Sequence, residues 1–235
     1  MFTGFTDATV ETFLGIRFNN SKSWMDAHRQ EYYANVRDRF YELIDALSDT
    51  ALSIDPDMEV RPHKCLSRIN RDIRFSSDKS LYRDHLWFCF HKAACPKECC
   101  PMFWFEFGPD EMSWGLGTWF DDRPMMDALR RRMEAKPDEY IRLLKRLKKA
   151  GLSVGGNTFR RFEVPPGLPE ELRPLYMKKG LYVSRNDIRY EWAFQSDLAE
   201  KIRKDYLALA PFYGILKGCY EENEQAGGDV PRQRT

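Results

Sequence analysis

Apolar and aromatic positions recur every three or four residues early in the chain, at Trp24, Ala27, His28, Tyr32, Val36, Phe40, Leu43, Ile44 and Leu47. This spacing predicts a long helix, the second of two that open the chain. Cap candidates precede it in Asn19-Asn20-Ser21, and Asp55-Pro56-Asp57 breaks the pattern. The period then shortens to two. Over residues 68–75 one face carries Arg68, Asn70, Asp72 and Arg74, and the other Ile69, Arg71, Ile73 and Phe75, the alternation of a strand. Leu86–Phe90 and Met102–Phe107 are aromatic runs of the kind a sheet accepts. A turn at Gly108-Pro109-Asp110 leads into a further strand within residues 114–120, completing a meander.

Helical spacing returns over residues 124–135 and 137–150, with Pro137 in a first turn and Gly151 as a stop. Residues 159–164 and 181–184 are expected as short strands. A last helix is expected to start near the cap Ser196 and run toward Lys217, with a bend at Pro211. No internal repeat or low-complexity linker divides the chain. The predicted class is α+β, a mainly antiparallel sheet flanked by helices, in a single domain over residues 1–220, with residues 221–235 as a flexible polar tail.

Composition excludes several alternatives. The 235 residues are 43% hydrophobic and 14% aromatic, enough for a substantial core and incompatible with global disorder. No apolar run approaches the roughly 18 residues of a membrane span, so no membrane partner is expected. The start, Met1-Phe2-Thr3-Gly4-Phe5, lacks the basic and apolar regions of a signal peptide. The expected location is cytoplasmic, where thiols stay reduced.

Charge is distributed unevenly. The whole chain carries +1, whereas residues 61–92 hold eight Lys/Arg against three Asp, a local anion site rather than a generally cationic surface. Its centre is Arg68-Ile-Asn-Arg71-Asp72-Ile-Arg74-Phe75-Ser-Ser-Asp78-Lys79-Ser-Leu-Tyr82. Alternation places Arg71 on the apolar face, where an unpaired charge costs several kcal/mol, so it needs a carboxylate, carbonyls or a bound anion. Arg68, Arg71, Arg74 and Lys79 are candidate anion ligands, and Asp72 and Tyr82 are candidate proton-transfer groups if a reaction occurs there. The competing reading is an internal Arg–Asp network that fixes sheet register.

The spacing Arg-x-x-Arg-Asp-x-Arg-Phe-x-x-Asp-Lys-x-x-Tyr resembles the signature of the family of unknown function numbered 2461, whose members are bacterial and fungal proteins of about this length. The resemblance extends to Asn19-Asn20-Ser21-Lys22-Ser23-Trp24, to Tyr32, and to Gly115-Leu-Gly117-Thr-Trp119, and covers most of residues 5–218. It implies a fold and a site position, with Lys22 and Trp24 joining residues 68–82 around one cleft. It implies no reaction. Leu81 stands where many relatives have proline, and the cysteine-rich insert at 95–100 is outside the pattern.

His91, Cys95, Cys99 and Cys100 offer metal-ligand chemistry, but their spacing is not that of paired zinc knuckles, and Pro96 and Pro101 suggest a surface loop. No metal and no cofactor is expected, and the thiols are expected to be exposed and reactive. Residues 130–149 hold nine Lys/Arg and three Asp/Glu, in an order that complements a helix dipole. His85 offers a lone imidazole beyond Tyr82. Hydrolase elbows and phosphate loops are absent. The first reading is binding of a small anionic molecule, phosphate or carboxylate in type. The second is a nucleic-acid partner met by the basic segments with Trp87 or Trp104. The third is an internally paired interaction module. Oligomeric state is left open.

Overall fold

The computed structural model describes residues 1–74, 77–95 and 100–225. Its elements run α1 (Asp7–Phe18), α2 (Lys22–Ala27), α3 (Arg29–Tyr32), a π-helical stretch (Tyr33–Arg37), α4 (Asp38–Ile54), α5 (Pro62–Cys65) and β1 (Leu86–Phe90). They continue through β2 (Met102–Phe107), β3 (Met112–Gly117), α6 (Arg123–Ala135), α7 (Pro137–Lys149), β4 (Leu152–Gly155), α8 (Arg173–Tyr176), β5 (Tyr182–Arg185) and α9 (Leu198–Gln225). The fold is α+β, with one antiparallel sheet in the order β1-β2-β3-β5-β4 and flanking helices. No helix among the described residues is long and apolar enough to cross a membrane. Contacts gather the chain into two compact units, the first holding residues 1–90, 104–114 and 188–204, the second residues 91–103, 115–187 and those from 205 onward.

In the first unit, Ser21 caps α2 by accepting from the Trp24 amide at 3.3 Å. The continuous helix expected from Trp24 onward is broken. α2 ends at Ala27 and His28 bonds back to the Trp24 carbonyl. This break sets a different register, so Met25 is buried while Ala27 is exposed and Trp24 half-buried. The π stretch takes up an extra residue per turn, which keeps the four-residue steps Tyr32, Val36 and Phe40 on one face. Those side chains, with Leu43, Ile44 and Leu47, form the buried stripe that the spacing predicts.

The core beneath is aromatic. Phe5 stacks on Phe107 with centroids 4.4 Å apart, Phe40 lies 5.0 Å from Phe5, and Phe88 is 5.4 Å from Phe105. Each such ring contributes about 1.5–3 kcal/mol when fully buried. Alternation sends Leu86, Phe88 and Phe90 into this core, leaving His85 and Trp87 on the opposite side of the strand.

The expected strand at 68–75 is extended chain rather than a regular ladder. It pairs at single positions, Leu66 with Phe88 and Asn70 with Tyr82. Its alternation holds nonetheless, with Ile69 buried and Arg68, Asn70, Asp72 and Arg74 exposed. Phe75 lies outside the described residues.

In the second unit, Asp122 caps α6 by accepting from the Met125 amide at 2.9 Å. α7 buries Tyr140, Leu143 and Leu147 and stops at Gly151, whose φ of +79° suits glycine. At Gly115 a Cβ would lie 2.1 Å from the Val183 carbonyl oxygen, so only glycine lets β5 approach β3. Two expectations fail here. Residues 159–164 form no strand; Phe159 and Phe162 stack on each other at 4.8 Å, and the Arg130 guanidinium lies 4.4 Å from the Phe162 ring centre. The added strand is β4, which pairs antiparallel with β5. Cys95 and Cys100 are buried, which corrects the expectation of exposed thiols. α9 contains Pro211 and continues to Gln225, past the expected end near Lys217.

Candidate functional site

The basic segment is one arm of a hairpin in the first unit. The Arg71 amide donates to Leu81 O and the Arg83 amide to Ile69 O, each at 2.9 Å, and the Ser67 amide donates to Trp87 O at 2.8 Å. Residues 66–71 therefore run antiparallel to residues 81–88, ahead of and along β1. In such a pair the amide and carbonyl of Tyr82 point away from the partner arm. Asn20 satisfies both: its Oδ1 accepts from the Tyr82 amide at 3.0 Å and its Nδ2 donates to the Tyr82 carbonyl at 2.8 Å. One amide side chain thus supplies what a further strand would, and pins the α1–α2 turn to the hairpin.

The charged side chains divide into satisfied and unsatisfied groups. Arg74 grips Asp72 through two contacts, Nε to Oδ1 at 3.0 Å and Nη2 to Oδ2 at 2.6 Å. These bonds push the Asp72 carboxyl down to about 2. Lys79 Nζ donates to Ile73 O at 2.8 Å, and Asp78 accepts from the Ser80 amide at 2.9 Å. Arg71, 21% exposed, reaches Asp78 through Nη2 at 3.2 Å. Its Nε is buried without a hydrogen-bond partner. Arg83 donates Nη1 to the carbonyls of Arg68 and Asn70 at 2.8 and 2.7 Å and lies 4.8 Å from the Trp87 ring centre. It makes no carboxylate contact among the described residues. Burial, then the neighbouring charges of Arg71 and Arg68, pull its pKa below the usual arginine value. Arg68 is exposed and makes no side-chain hydrogen bond or ion pair among the described residues. Three guanidiniums therefore cluster where the nearby carboxylates are largely engaged elsewhere.

The remaining expected site residues are placed differently. Tyr82 is buried at 6% exposure, so its ring belongs to the core. Lys22 is exposed at the start of α2. Trp24 stacks on His28 with centroids 4.1 Å apart, beside an open groove of about 620 Å³ shared with Phe18 and Asn20. Among the described residues neither Lys22 nor Trp24 bonds or stacks with the hairpin; Asn20 makes that connection.

Sequence reasoning passed over Arg83, and it named Asn20 and His85 without the partners that surround them. His85 Nδ1 lies 3.1 Å from Asp84 Oδ1, and its Nε2 lies 3.5 Å from Glu106 Oε1. Arg17 donates Nε to Asp84 Oδ2 at 2.6 Å and also holds Asp110. Burial opposes the ionisation of Asp84, yet the Arg17 and His85 bonds outweigh it and keep its carboxyl below the usual range. Burial raises the Glu106 carboxyl, with His85 opposing and Glu111 adding to the rise. The available signal was Glu106 itself, a carboxylate inside the run Met102-Phe-Trp-Phe-Glu-Phe107.

In the second unit His91 is buried and its Nδ1 lies 3.0 Å from Lys92 O. Cys99 lies outside the described residues. Among those described, no three His, Cys, Asp or Glu side chains are grouped to hold a metal.

A family model described as a conserved hypothetical protein (DUF2461) matches residues 9–214. No curated protein matches the chain.

Proposed function

We propose, from the site alone because the chain belongs to the DUF2461 family and that description names no activity, that the hairpin binds a small oxyanion, phosphate or carboxylate in type. The carrying observation is the imbalance at Arg68, Arg71 and Arg83. Among the described residues Arg83 bonds to carbonyls and lies over an indole with no carboxylate in contact, and Arg71 has a carboxylate contact at 3.2 Å and a buried Nε without a partner. Carbonyl oxygens orient a guanidinium without neutralising it, so a bound anion supplies the missing charge. Arg74 and Lys79 take outer places in this reading, since Asp72 and Ile73 O already occupy them. The nucleic-acid reading is less well supported, because Trp87 lies beneath Arg83 and beside His85 rather than open for base stacking.

The test is a thermal melt with and without sulfate at matched ionic strength, which removes general screening. Sulfate at tenfold over its dissociation constant stabilises by about 1.4 kcal/mol by mass action, a shift of roughly 3–5 °C for a chain of this size. Arg83→Gln and Arg71→Gln are expected to remove that shift while each still unfolds cooperatively. No sulfate-specific shift in the wild type refutes the reading.

A further inference from the structure

We propose that His85, between Asp84 and Glu106, is the proton-handling group of this same site, so that oxyanion binding is linked to proton uptake. The inference rests on the anion-binding reading and adds the proton that accompanies the ligand. Its geometry is that of an oriented acid–base group. Asp84 faces Nδ1 at 3.1 Å and is itself fixed by Arg17 at 2.6 Å. With Nδ1 committed to an ionised carboxylate, Nε2 is the nitrogen that gains and loses the proton. Glu106 stands 3.5 Å from Nε2, beyond a good hydrogen bond, so a proton there is held by attraction rather than locked between the two groups. The two carboxylates face opposite ring nitrogens and cannot converge on one metal ion.

Other charged groups favour the same behaviour. Arg17 and Asp110 neutralise one another's influence on the Asp84 side. On the Glu106 side, burial and Glu111 both resist a second negative charge. Arg83 of the anion cluster shares an aromatic neighbour with His85. Its Cζ lies 4.8 Å, and the imidazole centroid 5.9 Å, from the centre of the same Trp87 ring. A proton gained at Nε2 adds one positive charge near the bound anion, and the proton comes from solvent. For charges on the order of 10 Å apart in a half-buried setting, such coupling amounts to about three- to tenfold in affinity.

The experiment measures sulfate binding to the full chain by titration calorimetry, because sulfate stays dianionic between pH 5 and pH 8. Affinities are compared at pH 5.5 and pH 8 at fixed ionic strength, and proton uptake is read from buffers of different ionisation heat. The wild type is expected to bind about three- to tenfold more tightly at pH 5.5 and to take up a fraction of a proton, at most about half, at intermediate pH. His85→Gln is expected to keep the pH 8 affinity, lose the tightening and take up no proton. Glu106→Gln, a near-isosteric change that protects against a folding defect in the first variant, is expected to move the tightening to lower pH. Sulfate binding that is equal at both pH values without proton uptake overturns the inference and leaves the anion site standing. Uptake that persists in His85→Gln also overturns it. Absence of sulfate binding at every pH overturns the anion reading and this inference with it.

Discussion

Arg130 and Arg185 in the second unit, and Arg71 and Arg83 in the first, are all arginines drawn out of water, but only the second unit's pair is fully answered. The Arg130 side chain is 5% exposed. It donates to Tyr176 O at 2.8 Å, to Lys178 O and to Asp127 at 2.5 Å, with Phe162 over its face. Arg185 forks onto the buried Asp205 at 2.6 and 2.7 Å and also reaches Ala150 O and Asp187. In both, the planar guanidinium finds partners along most of its edge, as a structural arginine should. Among the described residues Arg71 leaves a donor, and Arg83 its charge, uncompensated at a burial close to that of Arg185. Complete partners identify scaffold; surplus charge identifies a site.

The largest effect that tests this contrast is at Arg185. Arg185→Ala takes the forked guanidinium away from the Asp205 carboxylate, which is 1% exposed. Breaking one side of a buried pair costs about 3–5 kcal/mol, and the melting temperature is expected to fall by roughly 6–20 °C. Sulfate should not restore it. A fall below about 1 kcal/mol, the size of a surface pair, would show that completeness of partners does not separate the two kinds of arginine.

Legibility followed the same division. β1 and β2 match the expected limits because their apolar aromatic runs are bounded by turn residues, and most of their side chains are buried. The α7 stop at Gly151 was legible because a positive φ selects glycine. The break at His28 and the π stretch were not, since one extra residue in a turn leaves the composition unchanged. β4 was missed because its residues Ser153 and Val154 are only half-buried and carry little periodic signal at an edge. At the site, the sequence identified the charged segment but neither its antiparallel pairing with residues 81–88 nor which of its charges are paired. Arg74 and Asp72 look equivalent to Arg71 and Asp78 on paper, and only geometry shows that the first pair is closed and the second open. The cysteines taken for exposed thiols are buried at Cys95 and Cys100, because proline spacing reports a loop without reporting what covers it.

Asn20 gives an intermediate effect. Asn20→Ala removes two hydrogen bonds to the Tyr82 backbone, about 1–3 kcal/mol together. Because that backbone also positions Arg83, sulfate affinity is expected to weaken along with stability. Chemical denaturation with and without sulfate checks both. A variant that loses stability but binds sulfate as tightly as wild type would show that the hairpin keeps its geometry without the clamp.

The smallest effect is at Arg74, which is 69% exposed and paired with Asp72 at 45%. The Arg74 bonds push the Asp72 carboxyl down to about 2, so any stability it contributes is present above the usual carboxylate range and is lost as pH falls toward 2. At this exposure solvent screens most of that contribution. Arg74→Ala is therefore expected to melt close to wild type at neutral pH and to retain most of the sulfate shift, unlike Arg71→Gln and Arg83→Gln. Its distinctive signature is local: the Asp72 carboxyl, followed by NMR titration, should rise from about 2 toward the ordinary value of about 3.9. A loss of sulfate binding equal to that of Arg83→Gln would move Arg74 from the closed pair into the anion cluster. A neutral-pH melting loss as large as that of Arg185→Ala would instead make the exposed pair part of the scaffold. Either result breaks the distinction drawn from partner geometry, whereas a shifted Asp72 titration with sulfate binding kept supports it.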